Sequence, residues 1–380
     1  MKKNKLLVGL IFISSALWGA GETHYLQRSP QALLMGDAFT ARADDEYGLF
    51  YNPASLGRTK GLSLTPINPD VGVTNALDEL DRFKNFPKKD TAAIADRILG
   101  LPIYLRGGVA PNVKFAGFGL SLFASATTNL ILRNAIHPIL DVDYRYDRGF
   151  TMGYAYSWGT PRKKKTKKEQ INSTGVRTSI GAAVKHVRRS ALSRQFDLFG
   201  TSILNTVSNP NNDSVSKMLE GLGYAEGSAW GGDLGVEHSI TRGNSELAFG
   251  LSAMDIGDLK FARLKGTGVI PDQPMTINGG VTWRQDFKLF DYSFSVDVHP
   301  INQYMPIARR IHVGAEAGIP LVRVFTGISE GYISYGLSVN AFIFKIMAGF
   351  YGVELGSEFK EEKGSRALIY ISLLDFSFDA

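Results

Sequence analysis

The second half of the chain alternates apolar and polar residues with a period of two. Four segments show the pattern: DYSFSVDVH (291–299), MTINGGVTWRQ (275–285), RIHVGAEAG (310–318) and ISYGLSVNAF (333–342). In the first, Phe294 and Val296 fall on one face of an extended chain, and Ser295 and Asp297 fall on the other. Because successive side chains of a strand point to opposite faces, each segment predicts a β-strand with one apolar and one polar face. The chain is therefore predicted to be all-β.

A soluble antiparallel sandwich and a membrane barrel both produce this alternation, and three features favour the barrel. The polar faces carry Gly, Ser, Asn and charges of both signs, as a water-filled lumen would. The segments run to about ten residues, the length of a tilted membrane strand, whereas soluble strands average about five or six. The connections alternate between long and short, as they do in outer-membrane barrels.

The strand count follows from the same pattern. We predict fourteen strands, at 61–66, 103–114, 116–129, 141–158, 176–198, 228–239, 246–260, 275–286, 291–299, 310–317, 321–328, 333–342, 344–352 and 366–378. The long connections follow odd-numbered strands, at 67–102, 199–227, 261–274, 300–309 and 353–365. Outer-membrane barrels are expected to have long loops on the outside of the cell and short turns on the periplasmic side. Residues 58–380 are thus predicted to form a transmembrane antiparallel β-barrel of about fourteen strands, with both ends at the periplasmic side.

Some connections carry features of their own. Apolar residues at three- and four-residue spacing predict short helices in 75–86, 90–101 and 211–227, the last one stopped by Gly221. The basic run PRKKKTKKEQINST (161–174) is the one long connection on the short-turn side. It is either a solvated turn or a contact with an anionic surface, such as lipid headgroups or a periplasmic partner.

The first 21 residues have the pattern of an export signal. Three lysines precede a thirteen-residue apolar core, 6–18, and Gly19-Ala20-Gly21 offers small residues for cleavage before Glu22. A spanning helix would need about 20 apolar residues. The chain is therefore expected to leave the cytoplasm and, as a barrel, to reside in a bacterial cell outer membrane. It contains no cysteine, which excludes disulfides and thiolate metal sites.

The segment ALLMGDAFTARADDEYGLFYNPASLGR resembles the N-terminal signature of the FadL-type long-chain fatty-acid channel superfamily, which includes PorV-like outer-membrane proteins. The matching positions are Met35, Gly36, Ala38, Phe39, Thr40, Ala41, Ala43, Asp44, Asp45, Phe50, Tyr51, Asn52, Pro53, Ala54 and Leu56. Asp37 and Ser55 stand where the family pattern has glycine. The resemblance covers about twenty residues, and the rest of the likeness is barrel pattern.

The resemblance implies that residues 22–57 form a hatch folded into the lumen, with the Asn52-Pro53 turn leading into the first strand. Met35, Phe39, Phe50 and Tyr51 are then the candidates for lining an apolar cavity. Asp44, Asp45 and Glu46 are expensive in lipid but can be paired inside a wet lumen, with Arg177, Lys185, Arg284 or Arg310 as the candidate cations. A permanent plug and a movable gate both remain open, and loss of Asp44 or Asp45 is expected to raise solute leakage if they hold a gate.

Other inward polar residues could form a catalytic set or a lumen charge network. Asp297, His299, His312 and Glu316 fall on the polar faces of neighbouring predicted strands. Charge networks are the commoner explanation, and the six histidines form no HExxH pattern. No nucleophile elbow or phosphate-binding loop is present. We therefore expect no enzyme activity, no metal, no cofactor and no nucleic-acid partner.

Two functions follow from the resemblance. One is passive uptake of small hydrophobic, fatty-acid-like compounds across the outer membrane, through a lumen gated by the hatch and an opening in the barrel wall. The other is a non-transporting, PorV-like barrel that acts as a partner or platform for exported proteins. The expected partners are outer-membrane lipid, a hydrophobic small-molecule ligand, and a periplasmic or exported protein.

Overall fold

The computed structural model describes residues 22–75, 77, 80–85, 87, 91–160, 174–197, 219–287, 289–341 and 343–378. The predicted export signal, nearly all of the basic connection 161–174 and the first part of the predicted helix 211–227 lie outside these residues. Across the described ranges, no helix is both long enough and apolar enough to span a bilayer.

The described residues form one antiparallel sheet of eighteen strands. In chain order they are β1 Leu62–Thr65, β2 Asp70–Thr74, β3 Ile103–Val109, β4 Asn112–Phe115, β5 Phe118–Arg133, β6 Ile139–Thr160, β7 Thr174–Asp197, β8 Ala225–Arg242, β9 Ser245–Met254, β10 Ala262–Gly266, β11 Thr276–Asp286, β12 Asp291–Val298, β13 Ile311–Gly318, β14 Val322–Ser329, β15 Tyr332–Ala341, β16 Phe344–Glu354, β17 Lys363–Leu373 and β18 Phe376–Phe378.

The sheet closes on itself through its first and last strands. β1 pairs with β4 and β18, and β2 pairs with β3 and β17. β5 pairs with both β3 and β4. The pairs β1/β2, β3/β4 and β17/β18 are therefore two halves of single wall strands, and β10 is a short addition to β8. The result is a closed antiparallel barrel of fourteen wall strands, which confirms the predicted fold class.

The two faces of the wall follow the predicted alternation. On β12, Phe294 and Val296 are about half exposed on the outside, whereas Ser293, Ser295 and Asp297 are completely buried inside. The same holds for β11, β13 and β15. An apolar outer face and a polar inner face are the arrangement of a barrel that contacts lipid.

The barrel has two distinguishable ends. At one end, here called the long-loop end, lie the described residues of the connections after β2, β5, β7, β9, β12, β14 and β16. The opposite, short-turn end carries the turns 116–117, 243–244 and 319–321, the described residues between β11 and β12 and between β15 and β16, and the adjoining ends of β6 and β7. The alternation of loop lengths was predicted from the sequence, although the turn 330–331 at the long-loop end is also short, and nearly all of the basic connection lies outside the described residues.

Short helices lie in the connections and in the hatch. They are α1 Pro30–Leu34, α2 Leu80–Phe83, α3 Thr91–Ile98 and α4 Ile307–Arg310, with 3-10 turns at Gly48–Phe50 and Pro53–Arg58. α2 and α3 fall within the predicted helices 75–86 and 90–101 and are shorter. The described end of the third predicted helix stops at Gly221, and β8 already begins at Ala225. Two predicted loops also contain strands that the sequence reading missed, β2 within 67–102 and β10 within 261–274.

The hatch lies inside the barrel, and its predicted position at the periplasmic end needs correction. Glu22 forms a bidentate ion pair with Arg366, close to the long-loop end of β17, with N–O distances of 2.5 and 2.6 Å. Arg58 pairs with Glu237 and Glu246 near the 243–244 turn, each at 3.0 Å. Because these ion pairs fix opposite ends of the segment, the hatch runs lengthwise through the lumen, and Glu22 lies at the long-loop end.

Candidate functional site

Local sequence signals fold the hatch into two compact corners. The Ser29 Oγ caps α1 by accepting a hydrogen bond from the Ala32 N–H at 3.1 Å, and Pro30 occupies the first helical turn. The Asn52 Oδ1 accepts from the Ala54 N–H at 3.0 Å and starts the 3-10 turn that Pro53 favours. The Asn52 Nδ2 also donates to the carbonyl of Val236 at 3.2 Å, which ties the predicted Asn-Pro corner to β8.

The wall lacks side chains where the hatch approaches it. At nine inward glycines a Cβ would lie less than 3.0 Å from a hatch atom, which real Cβ contacts do not allow. They lie on β5 to β9 and β13 to β16 and are Gly119, Gly153, Gly181, Gly235, Gly250, Gly314, Gly327, Gly336 and Gly349. We call this set the glycine collar. It lets the hatch backbone pack directly against the wall.

Four predicted lumen residues bind the hatch, and two of them also contact each other. The Asp297 carboxylate accepts from the backbone N–H groups of Phe39 and Thr40, at 2.7 and 2.6 Å. The His299 and His312 rings stack 3.8 Å apart, and their nitrogens reach the carbonyls of Asp37 and Gly36 at 3.0 and 3.1 Å.

The remaining member, Glu316, is fully buried beneath the hatch. Its carboxylate pairs with Arg42 at 2.5 Å and with Arg323 at 2.9 Å, and it accepts from the Gln31 amide at 3.0 Å. All four predicted groups therefore act as anchors for the hatch, although the second carboxylate oxygen of Asp297 has no hydrogen-bond partner among the described protein atoms.

The acidic stretch of the hatch is paired, but mostly with other cations than predicted. Asp44 pairs with Arg42 at 3.2 Å, and Arg284 lies at the limit of an ion pair, 4.0 Å away. The Asp45 carboxylate instead accepts from the Ser29 hydroxyl and from the Tyr47 N–H. Burial, reinforced by neighbouring Glu46, raises the pKa of Asp45 to about 7, whereas Arg42 holds the pKa of Asp44 down to about 2 against the opposing effect of burial.

Three of the four predicted partner cations bind elsewhere, which corrects that prediction. Arg177 pairs with Glu237. Lys185 lies between Asp233 and Asp255, at 2.8 and 2.6 Å. Arg310, at the end of α4, donates to the carbonyls of Ile301 and Met305, at 3.3 and 2.7 Å. Carboxylates of β8 and of the residue after β9 pair with Arg177 and Lys185, and backbone carbonyls engage Arg310, so none of the three pairs with the acids of the hatch.

The aromatic and apolar hatch residues are packed rather than exposed to an open channel. Met35 and Phe39 have no exposed surface. Phe50 packs edge-on against Phe123 with ring centroids 5.4 Å apart. Phe50 and Tyr51 border a cavity of about 20 Å³, room for a single water molecule.

A larger cavity lies at the long-loop end, outside the predicted site. Its volume is about 140 Å³, and Ile103, Ile131 and Leu355 supply apolar walls. The Glu22–Arg366 ion pair borders it on the polar side, with the Arg366 guanidinium 3.5 Å from the Tyr104 ring centroid. A dry cavity of about this size is known to hold benzene, so the space admits one small ring.

The wall is interrupted beside the hatch, at a position that the sequence analysis did not predict. Pro66 and Pro69 separate β1 from β2, and Pro111 separates β3 from β4 at the same level. The Asn68 side chain fills the gap in the ladder, because its Nδ2 donates to the Ala110 carbonyl and its Oδ1 accepts from the Ala110 N–H, both at 2.9 Å. We call this place the wall break. Prolines within a strand pattern were the signal that could have revealed it.

The acidic-aromatic part of the hatch lies directly behind the wall break. Beside it on β4, the Asn112 Nδ2 donates to the Glu46 carbonyl at 3.0 Å and the Lys114 ammonium donates to the Asp45 carbonyl. Tyr47 and Asp70 are both buried there. The Tyr47 hydroxyl has no hydrogen-bond partner among the described protein atoms, and the Asp70 carboxylate has an ion pair with Arg106 at 3.4 Å. A buried hydroxyl without a partner costs roughly 1–3 kcal/mol, so the hatch is incompletely satisfied at this place.

Comparison with known proteins gives only structural likenesses. No protein-family profile matches the chain, and no curated protein sequence matches it. Among solved structures, the chain is similar to the Pseudomonas putida toluene transporter TodX, with 12% identity, a TM-score of 0.49, and coverage of 92% of this chain and 97% of that one. It is also similar to the monoaromatic hydrocarbon channel CymD (12% identity, TM-score 0.46, coverage 94% and 100%) and to the Ralstonia pickettii toluene transporter TbuX (12%, 0.43, 93% and 99%).

Proposed function

We propose that this barrel resides in a bacterial outer membrane and mediates passive uptake of small hydrophobic compounds, which leave its lumen sideways through the wall break. The wall break, with the unpartnered Tyr47 hydroxyl behind it, is the observation that supports this route. A hydrophobic compound gains nothing from a water-filled exit, whereas an opening in the wall delivers it directly into lipid. Passage requires that Asn68 releases Ala110 and that the Asp45–Tyr47 part of the hatch shifts.

The long-loop cavity is the proposed entrance. It faces the end at which outer-membrane barrels carry their extracellular loops, and its apolar walls suit a compact ring. We propose aromatic hydrocarbons as the first substrates to test, and fatty-acid-like compounds as the second class. A long acyl chain exceeds about 140 Å³ and would need the hatch to move before it could bind completely.

Cross-linking the wall break tests the exit. The chain has no cysteine, so Asn68→Cys with Ala110→Cys introduces the only two thiols, at positions already joined by two hydrogen bonds. Thr282→Cys with Ser295→Cys is the matched control, since those inward hydroxyls on β11 and β12 lie 2.9 Å apart, away from the break. Uptake of a fluorescent aromatic hydrocarbon and of a fluorescent fatty acid is measured in cells with an intact lipopolysaccharide leaflet.

The oxidised wall-break pair should lower uptake to the level of cells without the protein, and a reductant should restore it. The oxidised control pair should transport like the unmodified protein. Normal uptake through the oxidised wall-break pair, with the cross-link demonstrated by gel mobility, would refute the sideways exit.

A non-transporting, PorV-like platform is the second candidate function. The observation that favours it is the packed lumen, since the glycine collar seats the hatch against the wall and neither Met35 nor Phe39 has exposed surface. Under this function neither probe enters faster than in cells lacking the barrel, and a stoichiometric exported protein co-purifies with it.

A further inference from the structure

Three aromatic rings mark a level on the outer face of the barrel. Phe150, His186 and Trp230 lie on β6, β7 and β8, opposite one another in the ladder. The Trp230 ring centroid lies 5.9 Å from that of Phe150 and 4.7 Å from that of His186, and Trp230 is 66% exposed. Exposed rings of this kind are typical of the interface between hydrocarbon and headgroups.

The spacing along the strands agrees with that assignment. Toward the short-turn end of β6, the next exposed rings are Tyr154, Tyr156 and Trp158, which are 55%, 63% and 45% exposed. The strand from Phe150 to Trp158 covers roughly 20 Å along the barrel axis at the usual tilt, close to the apolar band of about 25 Å in such barrels. The row Phe150, His186 and Trp230 therefore marks the hydrocarbon boundary nearer the long-loop end.

Two arginines face outward one position beyond that boundary. Arg148 on β6 and Arg188 on β7 are direct cross-strand partners. Like charges placed directly opposite one another destabilise a sheet unless something neutralises them. Arg188 pairs with Glu226 at 2.7 Å, but among the described residues no carboxylate lies within ion-pair distance of Arg148, whose guanidinium only approaches the Tyr146 ring at 5.6 Å.

The neighbours leave room around the two guanidinium groups. Across the ladder, Arg148 is opposite Ala124 on β5 and Arg188 is opposite Ser228 on β8. Both are short side chains on the same outward face. The result is two adjacent cations at the level where the headgroups of the surrounding lipid begin, and the one carboxylate, Glu226, lies on the side of Arg188 that faces away from Arg148.

We propose that Arg148 and Arg188 bind a phosphate group of a lipid in the leaflet at the long-loop end, with its acyl chains against Phe150, His186 and Trp230. A guanidinium donates two parallel hydrogen bonds to phosphate, and two adjacent guanidinium groups can bind one phosphate together. The phosphate would supply the negative charge that the Arg148–Arg188 pair lacks. This site requires only that the barrel lies in a membrane, and it is independent of uptake.

The test compares lipid binding to the purified full-length protein in neutral detergent. The probe is lipid A with its two phosphates, against the same lipid after enzymatic dephosphorylation, and retained lipid is counted by native mass spectrometry. The variant is Arg148→Gln with Arg188→Gln. The matched control is Lys60→Gln with Arg242→Gln, which removes the same charge from two exposed positions at the short-turn end.

The double arginine variant should bind the phosphorylated lipid about tenfold more weakly or worse, since two charge-assisted contacts are lost. The control variant should bind it like the unmodified protein, and the dephosphorylated lipid should bind all three proteins equally weakly. Heat-dependent gel mobility verifies that each barrel is folded. Equal binding of both lipids by the unmodified protein, or an equal loss in the control variant, would overturn the proposal.

Discussion

Two glycines of the collar offer the sharpest test of how the hatch is held. Gly314 on β13 and Gly327 on β14 both face Met35, and a Cβ at either position would lie less than 3.0 Å from backbone atoms of that residue. Neither glycine has a positive φ, so alanine fits the wall backbone itself. The substitutions Gly314→Ala and Gly327→Ala therefore act on the seat of the hatch alone.

The size of the effect follows from the nature of the contact. Backbone atoms cannot rotate away as a side-chain tip can, and overpacking of this kind typically costs about 1–3 kcal/mol. If the whole cost falls on the seated hatch, its equilibrium shifts toward release by about 5- to 150-fold. The two substitutions should not add fully, because both act through Met35.

Gly107→Ala on β3 is the matched control. A Cβ there would meet nothing within 4 Å, so the same change should be neutral or stabilise by about 0.4–1 kcal/mol through the unfolded state. The assay records solute leakage through single barrels in planar bilayers, together with protease cleavage within residues 22–57. Both should increase for Gly314→Ala and Gly327→Ala. If both collar variants leak and resist protease exactly as Gly107→Ala does, the hatch is not held by close approach to these glycines.

Three further perturbations address the polar anchors. Glu316→Gln removes the more buried partner of Arg42 while Asp44 remains beside it, so it should destabilise the seated hatch by less than the roughly 3–5 kcal/mol of a fully unpaired buried charge and raise leakage in the same bilayer assay. Asp44→Ala removes the other partner of Arg42 from a more exposed position, so its leakage should increase less than that of Glu316→Gln. Asp45, with its pKa raised to about 7 by burial, stabilises the seated hatch most below pH 4, and this contribution is lost as the pH rises through 7. The pKa of His24 is lowered to about 4 by burial, so the contribution of His24 to the stability of the seated hatch changes in the opposite direction over part of that range. The quantity to measure is therefore the leakage of the unmodified protein relative to that of Asp45→Asn. This ratio should grow between pH 4 and 7, and it would be flat if Asp45 does not titrate there.

The barrel could be predicted from the sequence because its physical requirements repeat along the chain. Each wall strand must turn an apolar face to lipid and a polar face to the lumen. The neighbours Phe294 and Ser295 therefore show the same alternation of outward apolar and inward polar side chains as Val313 and His312. Chain connectivity also constrains loop length at each end. The period-two alternation thus predicted the fourteen wall strands, although β2 was too short and too close to two prolines to be recognised as a strand.

The partners of individual charges could not be predicted in the same way. The alternation predicts that Arg177, Lys185 and Glu316 face inward. Which charges pair with one another depends on the register of neighbouring strands and on the path of the hatch. Lys185 meets Asp233 and Asp255 because β7, β8 and the end of β9 bring them together, which no local pattern shows. The wall break did have a local signal, in Pro66, Pro69 and Pro111, whose meaning depended on knowing that three separate segments were wall strands.

The distribution of the collar indicates which part of the hatch can move. All nine collar glycines lie on β5 to β9 and β13 to β16, where the hatch packs directly on the bare wall backbone. None lies on β10 to β12, where the Asp297 carboxylate holds the hatch backbone, and none lies on β1 to β4, β17 or β18, which surround the wall break. There the hatch is held through side chains, by Asn112 and Lys114 on its carbonyls and by Tyr370 on Glu46. Side chains can change rotamer, whereas close-packed backbone cannot shift without a clash. Motion is therefore expected at Asp45–Tyr47, on the one side of the lumen where the wall ladder is also incomplete, while the rest of the hatch stays seated.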